Sequence, residues 1–245
     1  MRRAYYLCII YFMLIRGLQK FSLLDYPGKI AAIVFTPGCT FRCAFCYNPK
    51  LVRGDPSLPI FTEAEVLKFL HKRRGKLEAL VVTGGEPTLQ TDLPAFVRRV
   101  KDLGYLVKLD TNGSNLAMLK GLVQDRIVDY VAMDLKTSWQ DYPKVQPTVK
   151  LTQIKESIIF LLQGKKPTGF HYEFRTTLFP PLVAEDNFEL MAQIIAGAER
   201  YALQQYQPLA TLSSDLEKMV YPERVIQGFK KIAEKYVGKV EIRGI

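Results

Sequence analysis

Cys39, Cys43 and Cys46 share one short stretch, Pro37-Gly38-Cys39-Thr40-Phe41-Arg42-Cys43-Ala44-Phe45-Cys46-Tyr47-Asn48-Pro49. Thiolates are soft ligands for iron and zinc, so three on one loop can converge on one inorganic centre. Their number is informative: structural zinc takes four ligands, and an electron-transfer [4Fe-4S] cluster is normally held by four cysteines. No neighbouring residue supplies a fourth. A cluster held by three cysteines leaves one iron open to substrate or cofactor, as a catalytic metal keeps an open position. Zinc and a plain electron carrier stay as alternatives on the loop alone.

Hydrophobic patterning defines the elements that must hold this loop. Residues 30–35, Ile-Ala-Ala-Ile-Val-Phe, read as a buried strand, which places the cysteines just beyond its C-terminal end. Further strands are expected over 77–83, 105–110, 127–136, 170–177 and 201–206, alternating with helices, and a short strand over 239–243 closes the chain. Thr62 is an N-cap with Glu63 and Glu65 in the first turn, and later helices are expected over 92–103, 152–163, 188–199 and 222–235. Six strands alternating with helices, with the loaded residues at strand ends, predict a partial (β/α)6 barrel of parallel strands with its site on that face.

Three strand ends carry polar chemistry. Gly84-Gly85-Glu86-Pro87 offers two glycines that let the backbone approach a ligand and a carboxylate that can accept from a cation. Asp110, Asp134 and Lys136 end apolar strands, where a charge is costly unless paired or functional. A mutually satisfied Asp–Lys pair at the rim is the plain structural reading. Arg175 could likewise pair with Glu173 or a rim aspartate, and His171 reads as a satisfied strand histidine.

With the aromatic Phe45 before the last cysteine, Cys39-x-x-x-Cys43-x-x-Cys46 resembles the radical S-adenosylmethionine superfamily. The lead Leu18-Gln19-Lys20-Phe21-Ser22, the turn Asp25-Tyr26-Pro27-Gly28 and the pair Asn48-Pro49 further resemble the activating enzymes of glycyl radical enzymes, nearest to those serving anaerobic ribonucleoside-triphosphate reductase. One departure is Tyr47, where such proteins usually carry histidine.

The resemblance implies a [4Fe-4S] cluster on Cys39, Cys43 and Cys46, with S-adenosylmethionine at the open iron and Phe45 near its adenine. It implies that Gly84, Gly85 and Glu86 meet the methionine ammonium. Asp110, Thr111 and Asp134 would surround the amino and carboxylate groups or a monovalent cation beside them. Lys136 would pair with the carboxylate, Arg175 would reach a carboxylate, and Gln207 would stand near the adenine where some relatives have histidine. The implied reaction is one-electron cleavage of the sulfonium to a 5′-deoxyadenosyl radical, which takes hydrogen from a glycine of a partner enzyme. A low-potential donor such as flavodoxin or ferredoxin would supply the electron. The alternatives are a radical enzyme for a small molecule, such as a deazapurine-forming synthase, and a basic metal-binding module for nucleic acid.

Composition agrees with an enzyme of one domain, expected over 17–245: the chain has 245 residues, 48% of them hydrophobic, and no low-complexity spacer. Four cysteines, three of them clustered, argue for a reducing compartment and hence the cytoplasm; Cys8, among apolar neighbours, reads as a small hydrophobe. The 34 Lys+Arg against 24 Asp+Glu give +10, but the basic residues are dispersed. The densest run, His71 to Lys76, closes a helix where cations suit the dipole, so no nucleic-acid partner is expected. Residues 1–16 read as an apolar extension, too short to span a bilayer, with Met13 as an alternative start.

Overall fold

The computed structural model describes residues 13–146, 150–208 and 220–244. Its eight strands lie side by side in chain order. β1 (Gly17–Ser22) runs antiparallel to β2 (Ala31–Thr36), and β3 (Ala79–Gly84), β4 (Leu106–Thr111), β5 (Tyr130–Asp134), β6 (His171–Leu178), β7 (Arg200–Gln205) and β8 (Lys239–Arg243) continue parallel to β2. The linear order leaves β1 and β8 as the two ends, so the barrel is partial.

Residues 17–22 appeared in the sequence only as a lead into the first strand. They pair as β1 because Gly17 to Gln19 find partners from Phe35 back to Ile33, while their own weak alternation, with Gln19, Lys20 and Phe21 exposed, gives no strand signal. The short closing strand joins the sheet as β8, in register with β7 from Arg200↔Lys239 to Gln204↔Arg243.

Helices α1 (Pro49–Arg53), α2 (Glu63–Lys72), α3 (Leu93–Asp102), α4 (Leu116–Gln124), α5 (Tyr142–Val145), α6 (Leu151–Gln163), α7 (Phe188–Ile194) and α8 (Glu223–Ala233) complete the fold. α2 starts at the expected capping box, in which the Thr62 hydroxyl accepts from the Glu65 amide and the Glu65 carboxylate accepts from the Thr62 amide. α7 ends five residues short of expectation, beside Gly197 at φ +85°, a turn that leads directly into β7.

Strand alternation sorts two faces. Val34, Leu80, Val82, Val107, Leu109, Val131, Met133 and Phe174 face the helices in the main core. Ala31, Ile33, Ala79, Val81, Tyr130 and Ala132 form a smaller cluster in the lumen, plugged by Tyr26 from the β1–β2 loop. On β3 to β6 the lumen-facing positions nearest the strand ends, Thr83, Asp110, Asp134 and Arg175, are polar or charged, while Phe35 on β2 stays apolar, and this lifts the chemistry to one rim.

Residues 13–16, read as part of an extension, pack with the domain. Met13 and Ile15 are buried, the Met13 amide donates to Glu63 Oε1 at 2.7 Å, and Ile15 bridges to Phe61. Residues 1–12, with Cys8, lie outside the described residues. No described helix is long and apolar enough to cross a membrane.

Candidate active site

The cysteine loop leaves β2 at Thr36 and is held from below by the end of β3. The Gly85 amide donates to Thr36 O at 2.9 Å and the Glu86 amide to Gly38 O at 2.7 Å. A Cβ on Gly84, whose φ is +127°, would lie 2.3 Å from Thr36 N, and one on Gly85 would lie 1.8 Å from Gly38 O. Backbone contact with the cysteine loop therefore demands both glycines, before any ligand is considered.

Glu86, expected to offer an acceptor to a cation, is fully buried and spends its carboxylate on the chain. Oε1 accepts from the Thr88 amide, the Thr88 hydroxyl at 2.6 Å and the Thr111 hydroxyl at 2.8 Å; Oε2 accepts from the Asn112 amide at 2.7 Å. Burial pushes its carboxyl upward despite these donors. Thr111 serves the same strut. It ties the β3 end to the β4 end, and Asn112 continues the tie by donating to Thr40 Oγ1 at 2.8 Å.

Cys39, Cys43 and Cys46 open onto one cavity of about 290 Å³, together with Phe45, Gly84, Gly85, Asp110, Thr111, Asp134, Lys136 and Arg175. The donor set suits an iron–sulfur cluster. The Phe41 amide points at Cys39 Sγ at 3.3 Å and the Asn48 amide at Cys46 Sγ at 3.4 Å, the kind of N–H···S contact that cluster thiolates accept. Burial pushes the free Cys39 thiol up to about 11 and Cys43 up to about 12, with Lys136 pulling both the other way, so loading a metal releases protons here. Among the described residues no three His, Cys, Asp or Glu side chains converge on a single metal ion, whereas a cluster asks each sulfur for a separate iron.

The strand-end charges meet one another. The Arg175 guanidinium donates to Asp110 and to Asp134, each at 3.0 Å; Lys108 adds to Asp110, and Lys136 pairs with Asp134 at 3.0 Å. The β5–β6 register sets Asp134 directly beside Arg175. Burial alone would raise both carboxyls, but Arg175 with Lys108 or Lys136 outweighs it and holds them below the usual range. Arg175 therefore pairs with the rim aspartates and leaves Glu173 to Arg243, which grips it at 2.9 and 2.7 Å. Lys108, buried within β4, is a member that strand patterning passed over; its signal was a lysine inside an apolar run.

Phe45 is buried against Phe179, with ring centroids 5.3 Å apart, and the Lys136 ammonium lies 5.5 Å from its centroid. Gln207 is not brought to the cysteine cavity. It lines a larger neighbour of about 770 Å³, which opens between the β1–β2 loop and β8. The Gln207 amide donates to Tyr47 Oη at 2.8 Å, and Tyr47 stacks on Tyr206. Tyr47, Asp25, Arg175 and Gln204 border both cavities. Tyr47 was noted only as a departure, because its contacts come from the far end of β7.

The sequence profile of the Radical SAM superfamily matches residues 33–195. A Methanocaldococcus jannaschii protein named as a glycyl-radical enzyme activating enzyme is 32% identical over 95% of this chain and 96% of its own. The pyruvate formate-lyase-activating enzyme of Clostridium pasteurianum is 25% identical over 92% of this chain and 95% of its own. In fold, a radical SAM methyltransferase from Sphaerobacter thermophilus superposes with a TM-score of 0.65 at 18% identity, over 89% of this chain and 68% of its own. The chain belongs to the radical S-adenosylmethionine superfamily and, within it, to the family of glycyl radical enzyme activating enzymes.

Proposed function

We propose that this protein installs a glycyl radical on a partner enzyme, an anaerobic ribonucleoside-triphosphate reductase. The observation that carries the reading is that three cysteines, with no fourth among the described residues, open onto one cavity rimmed by Asp110, Asp134, Lys136 and Arg175. The family implies a [4Fe-4S] cluster and S-adenosylmethionine, which together supply a carbon radical able to take a glycine hydrogen. Cys39, Cys43 and Cys46 hold the cluster. Lys136 and Arg175 offer charge to the cofactor's carboxylate, and the backbone of Gly84 and Gly85 offers contacts to its ammonium. Phe45 walls the cavity and keeps water from it.

A monovalent cation between Asp110 and Asp134 has a competitor, since Arg175 already bridges those carboxylates. The adjoining 770 Å³ cavity, open between the two ends of the sheet, suits a peptide segment more than a small metabolite needing a closed pocket. A low-potential flavodoxin or ferredoxin supplies the electron, and the cluster's need for a reducing compartment favours the cytoplasm.

Electron paramagnetic resonance tests this. Reduced protein, S-adenosylmethionine and the reductase from the same source should yield a doublet that collapses when glycine is deuterated at Cα. Cofactor cleavage with no radical on a competent reductase would reject the partner assigned.

A further inference from the structure

With cofactor and substrate in the inner cavity, an electron would have to reach the cysteine loop from its outer side. Cys43 is buried, and Cys46 faces the inner cavity. Cys39 differs: besides lining the inner cavity, it lines a shallow outer basin of about 430 Å³ with Arg42, Ser114, Lys150 and Gln153. The loop is thus thinnest, between inside and outside, at Cys39.

That basin is electropositive. Among the described residues its lining has two cations and no acidic residue. The Arg42 guanidinium donates to the carbonyls of Cys39 and Phe41, both at 2.8 Å, so its charge is fixed on the cysteine loop itself. Lys150 is exposed, has no ion-pair partner among the described residues, and occupies the N-cap of α6. That helix starts with no side-chain cap and no acidic residue in its first turn. A lysine there stands against the helix dipole, and residues that break a local rule concentrate at functional places. The +10 net charge adds long-range attraction for an acidic protein.

We propose that the basin around Cys39, Arg42 and Lys150 docks the acidic surface of a small one-electron donor protein. The inference rests on the cluster reading above. In the encounter the reduced donor loses one electron and the cluster gains it, with Cys39 as the protein edge nearest the donor.

The test uses a photoreduced flavodoxin as probe, with dithionite as the small reductant. The variant Lys150→Glu with Gln153→Glu reverses the basin's charge outside the inner cavity, and Lys231→Glu on α8 makes a comparable change elsewhere. At low salt the double variant should be reduced by flavodoxin about tenfold more slowly, with a matching loss of flavodoxin affinity in both the cluster-loaded and cluster-free chain. The difference should shrink as salt rises. Dithionite reduction of the double variant should equal wild type, and Lys231→Glu should behave as wild type throughout. An unchanged flavodoxin rate in the double variant, or an equal loss in Lys231→Glu, overturns the docking face. A wild-type chain that binds flavodoxin at the basin yet shows no dithionite-reducible cluster would sink the cluster reading while leaving the face in place.

Discussion

The cysteine loop and the strand-end charges share one cavity but are satisfied in opposite ways. Around the loop, the hydrogen bonds to sulfur among the described residues are N–H contacts, from Phe41 and the more distant Asn112 to Cys39 and from Asn48 to Cys46, and the Lys136 charge acts on Cys39 and Cys43 without an ion pair to either. At the strand ends, Lys108, Asp110, Arg175, Asp134 and Lys136 form a continuous chain of ion pairs. The loop is therefore built for a guest, and the charges are built first for each other. Removing a sulfur should cost function and little stability, whereas removing a central charge should cost both.

The largest effect expected is all or none. Cys43→Ala should lose the complement of about four irons taken up on anaerobic reconstitution, while circular dichroism and the unfolding midpoint stay near wild type. A chain that unfolds instead would erase the contrast between the two regions.

Next comes Arg175→Ala, which leaves Asp110 and Asp134 facing each other in a mostly buried site. Breaking a buried pair in this way costs about 3–5 kcal/mol, measurable by denaturant titration. The pH profile carries the sign. Both carboxyls are depressed in the folded state, so their contribution is complete above the ordinary aspartate value of about 3.9 and is lost as pH falls through the depressed values. Without Arg175 those values rise, and acid unfolding should begin at higher pH. An unshifted acid limb would mean that Lys108 and Lys136 hold the aspartates by themselves.

Lys136→Ala removes the outer end of the chain and leaves Asp134 with Arg175. Calorimetry should show S-adenosylmethionine binding weakened by about 1.5–3 kcal/mol, with iron content intact. Unchanged affinity would assign this lysine wholly to the ion-pair chain.

The smallest effect sharpens the link between the regions. Glu86→Gln keeps the shape of the strut but turns one acceptor toward the Asn112 amide into a donor, at a stability cost of about 1–3 kcal/mol. If the strut positions the cysteine loop, the cluster's spectroscopic signature should broaden as well. A stability loss with an unaltered cluster spectrum would confine Glu86 to the β3–β4 tie.

Local order along the chain was enough for much of this. The spacing of Cys39, Cys43 and Cys46 specifies a three-thiolate loop by itself, because ligands on one short loop need no tertiary contact to come together. The apolar runs that became β2, β3 and β5 were legible for the same reason: a strand buried under helices is written as a near-continuous apolar stretch. The Thr62 capping box is equally local.

Tertiary structure decided the rest. β1 has no patterning of its own and exists because Phe35 to Ile33 offer it an edge. The double glycine at residues 84 and 85 could be read as a ligand contact, but only the approach of Gly38 and Thr36 shows why no side chain fits. Glu86 looked like a free acceptor until the β4 end brought Thr111 and Asn112 to it. Arg175 chose Asp110 and Asp134 over Glu173 because lumen-facing positions of adjacent strands stack by register, and register is a property of the assembled sheet. The sequence by itself determined which groups the site contains; long-range pairing alone decided which of them are already satisfied and which are left for a ligand.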